Sequence, residues 1–191
     1  MNKIANSAYR RANLILRSFH SPNIWTLMKA YKAYVRPTLE YATTIWNPYL
    51  IRDKTKIERV QRYFTRKVCR RCSIPYVSYK DRLFKLNLRS LEYRRSEFDL
   101  MFLYKMLNNL LDLDTTEFFS MSAAIYNTRS HNKRICSKLP LKTLGQSNYF
   151  SNRTAPIWNL LPSEIVTAPT YSIFHKRLKY FNLYTVVDLL F

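Results

Sequence analysis

Gly145 is the only glycine in this chain. Hairpin-rich β architecture consumes glycine at its tight turns. Loops that cradle phosphates or dinucleotides need several glycines for close backbone approach. A single glycine therefore excludes a phosphate-binding loop and a dinucleotide fingerprint, and it steers the chain toward a mainly α fold. At 191 residues the chain can bury a core with about 70% of its unfolded surface lost on folding. One domain or two small ones is the natural expectation. A hydrophobic fraction of 47% argues against disorder despite the high charge.

The second constraint is where acids are missing. The formal net charge is +20, from 32 Lys and Arg against 12 Asp and Glu. No acid precedes Glu40, and none falls between Glu117 and Glu164. The first stretch carries Lys3, Arg10, Arg11, Arg17, Lys29, Lys32 and Arg36; the second carries Arg129, Lys133, Arg134, Lys138 and Lys142, with Arg153 beyond them. Such charge repels itself in a compact state, and a polyanion relieves the repulsion, so nucleic acid is the first partner to consider. A solvated basic surface with no special partner is the bland alternative.

Cys69, Cys72 and Cys136 do not form a secreted disulfide framework, so a reducing, intracellular location is the default. The first residues hold no apolar signal-peptide core, and no apolar run reaches the roughly 18–20 residues of a membrane span. The sequence therefore points to no membrane partner.

Along the chain the pattern is helical. Residues 2–19 carry Ile4, Ala8, Leu14 and Ile15 at partial helical spacing. Ser21-Pro22 reads as an N-cap followed by a first helical proline. The next helix carries Ile24, Leu27, Met28, Tyr31, Tyr34 and Val35; Pro37 should kink or end it, with a continuation through Leu39, Tyr41 and Ile45 to Trp46.

The cleanest pattern runs from Lys54 to Arg71. Ile57, Val60, Phe64 and Val68 fall on one stripe, and Arg59, Arg62, Arg66 and Arg70 on the opposite one, with Tyr63 beside them. An arginine column at this rhythm can track a phosphate backbone. Charge opposite a core stripe is also simply normal. The cluster Arg66-Lys67 with Arg70-Arg71 resembles a nuclear-import signal, but it is already accounted for by the helix.

Ser78 with Asp81 resembles a capping box for a short helix through Leu83 and Leu86. Ser90 should cap a long helix over residues 91–111, whose second half is apolar around most of its circumference. Residues 120–147 read as loop and short extended pieces. Order returns near Tyr149-Phe150, followed by a compact apolar segment, Pro156 to Pro162. Thr170 or Ser172 could cap a last helix with Phe174, Leu178 and Phe181 on its apolar side. The expected organisation is a helical bundle over 1–119 and a basic, partly irregular extension over 120–191 that ends in a helix.

No local chemistry assembles a catalytic site. Cys69-Arg-Arg-Cys72 has metal-ligand spacing, and His131 with Cys136 could complete a zinc set. About sixty residues separate the two pairs and no knuckle glycine is present, so half-buried thiols are the preferred reading, with zinc left open. His20, His131 and His175 sit in no nucleophile or protease pattern. Glu97 and Asp99 lie two apart and so point to different helix faces, and Asp112 and Asp114 look like loop residues. Tyr31, Tyr34, Tyr41, Trp46, Tyr63 and Tyr104 have faces on which bases can stack, although aromatics at helical spacing serve packing more often. No cofactor is expected in this chain.

The segment Tyr34-Val-Arg-Pro-Thr-Leu-Glu-Tyr41, with Trp46 and Pro48 and then Glu58-Arg-Val-Gln-Arg62, resembles the region after the polymerase palm in non-LTR retrotransposons of the chicken-repeat and jockey-like LINE group. The resemblance continues through Tyr79-x-x-Arg82-Leu83, Leu91-Glu-Tyr-Arg-Arg95, Asp99-Leu100 and Tyr104-Lys105. It recurs at Thr128-Arg-Ser-His131, Phe150-Ser-Asn-Arg153, Trp158-Asn-Leu-Leu-Pro162, and Phe174 with Leu178. It covers nearly the whole chain as an ordered series of short pieces.

The resemblance implies the thumb and C-terminal extension of a reverse transcriptase, an RNA-directed DNA polymerase. A thumb grips template–primer while the palm does the chemistry; the palm and its aspartate pair, like the endonuclease of these elements, are absent from these residues. The implied ligands are RNA, an RNA–DNA duplex or DNA, with the palm as a protein partner and no catalysis by this chain alone. Arg36 and Glu40 inside the first motif also suit an i, i+4 ion pair bracing the Pro37 kink. The expected nucleic-acid contacts are Arg59, Arg62, Tyr63, Arg66, Arg70, Arg129, Lys133, Arg134 and Arg153. The alternative is a stand-alone basic helical module that binds nucleic acid or an acidic protein.

Overall fold

The computed structural model describes residues 1–121 and 134–184. The fold is mainly α. The chain divides into two compact units, Met1–Thr43 with Pro48–Arg94, and Thr44–Asn47 with Arg95–Phe191. The division expected after residue 119 therefore lies inside the second unit.

In the first unit, α1 (Asn2–Ser18) packs on α5 (Ile51–Arg71). Lys56 donates to Asn2, Tyr63 donates to Asn13 and packs edge-on against Tyr9, and Arg71 donates to the Leu16 carbonyl. These pairings advance together along both helices, so the two run parallel. The buried side of α1 is Ala5, Ala8, Ala12 and Ile15. Leu14, expected on that side, is 64% exposed. The small alanines let two backbones approach closely. Arg71 reaches the Leu16 and Phe19 carbonyls, so a cation satisfies the unpaired C-terminal end of α1.

α2 (Ile24–Ala30) starts two residues later than Ser21-Pro22 suggests. Asn23 is the N-cap, its side chain accepting from the Thr26 amide, while Ser21 accepts from the Asn23 amide in a local turn. α2 runs through a π-helical stretch, Tyr31–Val35, into α3 (Arg36–Glu40). Pro37 has no amide hydrogen, and its ring would collide with the carbonyl four residues back. The wider π-turn just ahead of it, closed by the Arg36 amide on the Tyr31 carbonyl, carries the helix past that obstacle. Glu40 then holds Arg36 at 3.6 Å and grips Arg94 with both oxygens.

The continuation to Trp46 does not form as one helix. Tyr41 is extended, Ala42 is left-handed at φ 53°, and α4 (Thr43–Trp46) begins afresh. Tyr41 and Ile45 are exposed rather than packed.

α6 (Tyr79–Lys85) is capped by Ser78, which accepts from the Asp81 amide. The reciprocal arm of a capping box is replaced: Ser78 donates its hydroxyl to the Asp81 carboxylate at 2.6 Å. α7 (Leu91–Leu107) opens with Ser90 accepting from the Tyr93 amide. It ends four residues before the expected Leu111. Asn109 turns left-handed there, and the Leu110 amide reaches back to the Lys105 carbonyl. The same closure ends α5 through Ser73 and α6 through Asn87, with Ile74 bonding Cys69 and Leu88 bonding Leu83. In a chain with one glycine, Ser and Asn take the positions glycine usually holds, and Gly145 is not at positive φ.

The second unit is built on the remainder of α7. β1 (Phe119–Met121) pairs antiparallel with β2 (Ile135–Ser137), Phe119 opposite Ser137. A short α8 (Leu144–Ser147) carries a Thr143–Gln146 capping box. α9 (Phe150–Asn159) includes Pro156 within it, so the apolar segment expected to begin at that proline is the end of a helix. Asn159 pins β2 by accepting from the Ile135 amide and donating to its carbonyl. α10 (Ser163–Val166) leads to α11 (Tyr171–Tyr180), capped by Thr170. Phe174 of α11 stacks on Tyr104 at 4.3 Å, and the Tyr104 hydroxyl donates to the Ala168 carbonyl. Among the described residues no helix is long and apolar enough to cross a membrane.

Candidate nucleic-acid interface

On α5 the buried stripe is Ile57, Val60, Gln61, Phe64, Thr65, Val68 and Cys69. Arg59, Arg62, Arg66 and Arg70 all lie on the opposite face and are all exposed. None of the four forms an ion pair among the described residues. The column rises about 16 Å from Arg59 to Arg70 at roughly 1.5 Å per residue. Phosphates of one duplex strand advance about 3.4 Å along the axis, so the column spans about five of them.

The helix beneath is held by a polar network that the sequence pattern does not announce. Gln61 is fully buried. It accepts from the Tyr31 hydroxyl at 2.8 Å and donates to the Tyr79 hydroxyl and the Arg89 carbonyl, each at 3.0 Å. Tyr79 donates to Glu58, whose other oxygen accepts from the Leu91 amide at 3.0 Å, the first amide of α7. Burial, with Glu58 nearby, holds the Tyr79 phenol far above its ordinary range; burial does the same at Tyr31. Both hydroxyls therefore remain donors. In Glu58-Arg-Val-Gln-Arg62 the acid and the amide thus face inward and the two arginines outward. The signal that could have found this is a buried-type spacing, i and i+3, occupied by polar groups.

Tyr63 is committed to α1: its hydroxyl donates to Asn13 at 2.7 Å, and its half-buried ring meets Tyr9 edge-on. Its role here is a seam contact rather than a free stacking face. Arg52, Lys56 and Lys67 extend the basic side of α5, and Arg10 and Arg17 lie exposed on α1 beside it. The same i, i+3, i+4 arithmetic, carried back from Arg59 and forward from Tyr63, could have found the α5 cations.

The second unit treats its sequence-expected contacts differently. Arg153 is buried, and its guanidinium pairs with Asp99, Nε to Oδ2 at 2.8 Å and Nη2 to Oδ1 at 3.0 Å. It also donates to the Asn148 and Thr44 carbonyls. Buried, and with four of its five N–H groups bonded inside the fold, Arg153 does not lie on the surface a phosphate would meet, which corrects its place among the contacts. Burial pushes the Asp99 carboxyl up, against the pull of Arg153. Arg134 is exposed immediately before β2. Arg129, Lys133 and His131 lie outside the described residues.

The Cys72 thiol donates to the Pro22 carbonyl, Cys69 is buried, and burial raises both thiols above their usual range. Cys136 is exposed. Among the described residues no group of three or more His, Cys, Asp or Glu side chains could hold a metal ion.

Over 92 residues, 48% of the chain, the sequence is 33% identical to an uncharacterized protein of Caenorhabditis elegans. That stretch is 46% of the relative's length, so the chain spans about half the length of the protein it matches. No family model matches the chain, and no solved structure matches it significantly.

Proposed function

We propose that this chain binds nucleic acid through the outer face of α5, as the thumb-and-extension region of a non-LTR retrotransposon reverse transcriptase. In that role it grips template–primer, RNA–DNA or DNA, through phosphates and with little sequence preference, while bond formation belongs to a palm. The observation that carries the proposal is the exposed, acid-free column Arg59, Arg62, Arg66 and Arg70 on a helix packed along its opposite face. Two further features support it: the ordered series of family-like motifs, and the basic residues of α1 alongside. Backbone-only contact accounts for the weak sequence preference, because phosphates position a protein without specifying bases.

The test is equilibrium binding of labelled RNA–DNA, double-stranded DNA and single-stranded RNA of unrelated sequences, with polyglutamate as an acidic competitor. Comparable affinity across sequences, resistant to polyglutamate at equal charge, is the expected result. Preference for polyglutamate over every nucleic acid would replace the proposal with an acidic-protein partner.

A further inference from the structure

The four arginines of the α5 column are not equivalent. Arg59, Arg66 and Arg70 extend without a hydrogen-bond or ring partner among the described residues. The Arg62 guanidinium instead lies over the Tyr79 ring, 4.6 Å from its centroid. That is within the range in which a cation is drawn to an aromatic face. The ring itself cannot swing freely. Its hydroxyl donates to Glu58 and accepts from Gln61, while Glu58 is bound to the α7 amide of Leu91, and Gln61 to Tyr31 and Arg89. Tyr79 also heads α6, where Ser78 caps the helix and Arg82 approaches the same ring at 5.5 Å. A guanidinium over a pinned ring keeps its outward N–H groups free to meet an anion.

We infer that Tyr79 is a positioning residue for the nucleic-acid contact: its ring, locked by Glu58 and Gln61, holds the Arg62 guanidinium ready for a phosphate. The inference rests on the nucleic-acid function proposed above and deepens it. A preordered arginine gives up less side-chain freedom on binding than a mobile one. Arg62 should therefore contribute more affinity than Arg66, although each neutralises one phosphate.

The experiment uses the full chain and a short RNA–DNA duplex, with binding measured across a range of salt. Tyr79→Leu removes the ring and should weaken binding about three- to tenfold, the cost of ordering one long side chain, while the salt slope stays unchanged because the number of phosphate contacts is the same. Tyr79→Phe keeps the ring over which Arg62 lies but removes the hydroxyl that locks it, and should bind between the parent and Tyr79→Leu proteins. The Arg62 Nε–Hε NMR resonance should show a ring-current shift in the parent and Tyr79→Phe proteins and lose it in Tyr79→Leu. Arg62→Lys, an exposed change that leaves the core intact, should weaken binding more than Arg66→Lys; this comparison stands if Tyr79→Leu does not fold.

Equal binding by the parent and Tyr79→Leu proteins overturns the inference alone. So does a Tyr79→Phe loss as large as that of Tyr79→Leu, or equal effects of the two lysine changes. If the parent protein itself binds no nucleic acid, the underlying function fails and takes the inference with it; binding by the parent with no difference among the variants fails the inference alone.

Discussion

Asp99 and Arg153 face each other in a buried two-point ion pair, Nε to Oδ2 at 2.8 Å and Nη2 to Oδ1 at 3.0 Å. The pair joins α7 to α9 within the second unit. Removing one partner leaves the other charge buried and uncompensated, which costs about 3–5 kcal/mol. Arg153→Met is therefore expected to lower the stability of the second unit by that order, measured by urea unfolding.

The deficit of Arg153→Met should depend on pH. Burial already raises Asp99, and loss of Arg153 raises it further. A carboxyl whose folded pKa lies above its unfolded value favours folding when protonated. That contribution is complete below the unfolded value near pH 4 and disappears as pH rises through the folded value. The difference between variant and parent should be smallest in acid and grow toward neutrality. A pH-independent difference would mean that Asp99 is not the group left exposed to the loss.

The inner and outer faces of α5 should respond oppositely. Gln61→Leu strands the buried Tyr31 hydroxyl and removes one partner each from the half-buried Tyr79 hydroxyl, which keeps Glu58, and the Arg89 carbonyl. Unsatisfied buried groups cost about 1–3 kcal/mol each, so a loss of roughly 2–4 kcal/mol is expected. Arg66→Ala, on the exposed face, should stay within about 0.5 kcal/mol. Thermal melts of the two variants check this contrast.

Ser73 offers a gain. It closes α5 in the left-handed region at φ 53°, where a side chain costs roughly 1–2 kcal/mol that glycine avoids. Offset by the greater freedom of glycine in the unfolded chain, Ser73→Gly should raise stability by about 0.5–1 kcal/mol. Asn87→Gly should gain less, because asparagine tolerates this region. The urea midpoint should move with an unchanged slope.

These contrasts track what the sequence makes legible. The core stripe of α5, the Ser78, Ser90 and Thr170 caps and the Arg36–Glu40 pair are local features, set by spacings of three and four residues, and each forms as read. Helix ends were harder. With glycine withheld from Ser73, Asn87 and Asn109, nothing in composition marks the turn. The π-turn before Pro37 is a backbone accommodation with no signature of its own beyond the proline. The second unit depends on partners far apart in sequence. Asp99 with Arg153, and Ile135 with Asn159, bury polar groups that look solvent-facing when read one segment at a time. Arg153, expected at the candidate site, is therefore buried, while Arg59, Arg62, Arg66 and Arg70, which answer only to their own helix, lie exposed as their spacing predicts.

The most direct measurement is the salt dependence of duplex binding by the chain in which Arg59, Arg62, Arg66 and Arg70 are all changed to Ala. Each phosphate contact contributes about 0.7–0.9 to the slope of log affinity against log salt. The account predicts weaker binding and a slope shallower by about three, with folding intact. An unchanged slope and affinity in the folded quadruple variant would contradict it and move the binding surface away from α5.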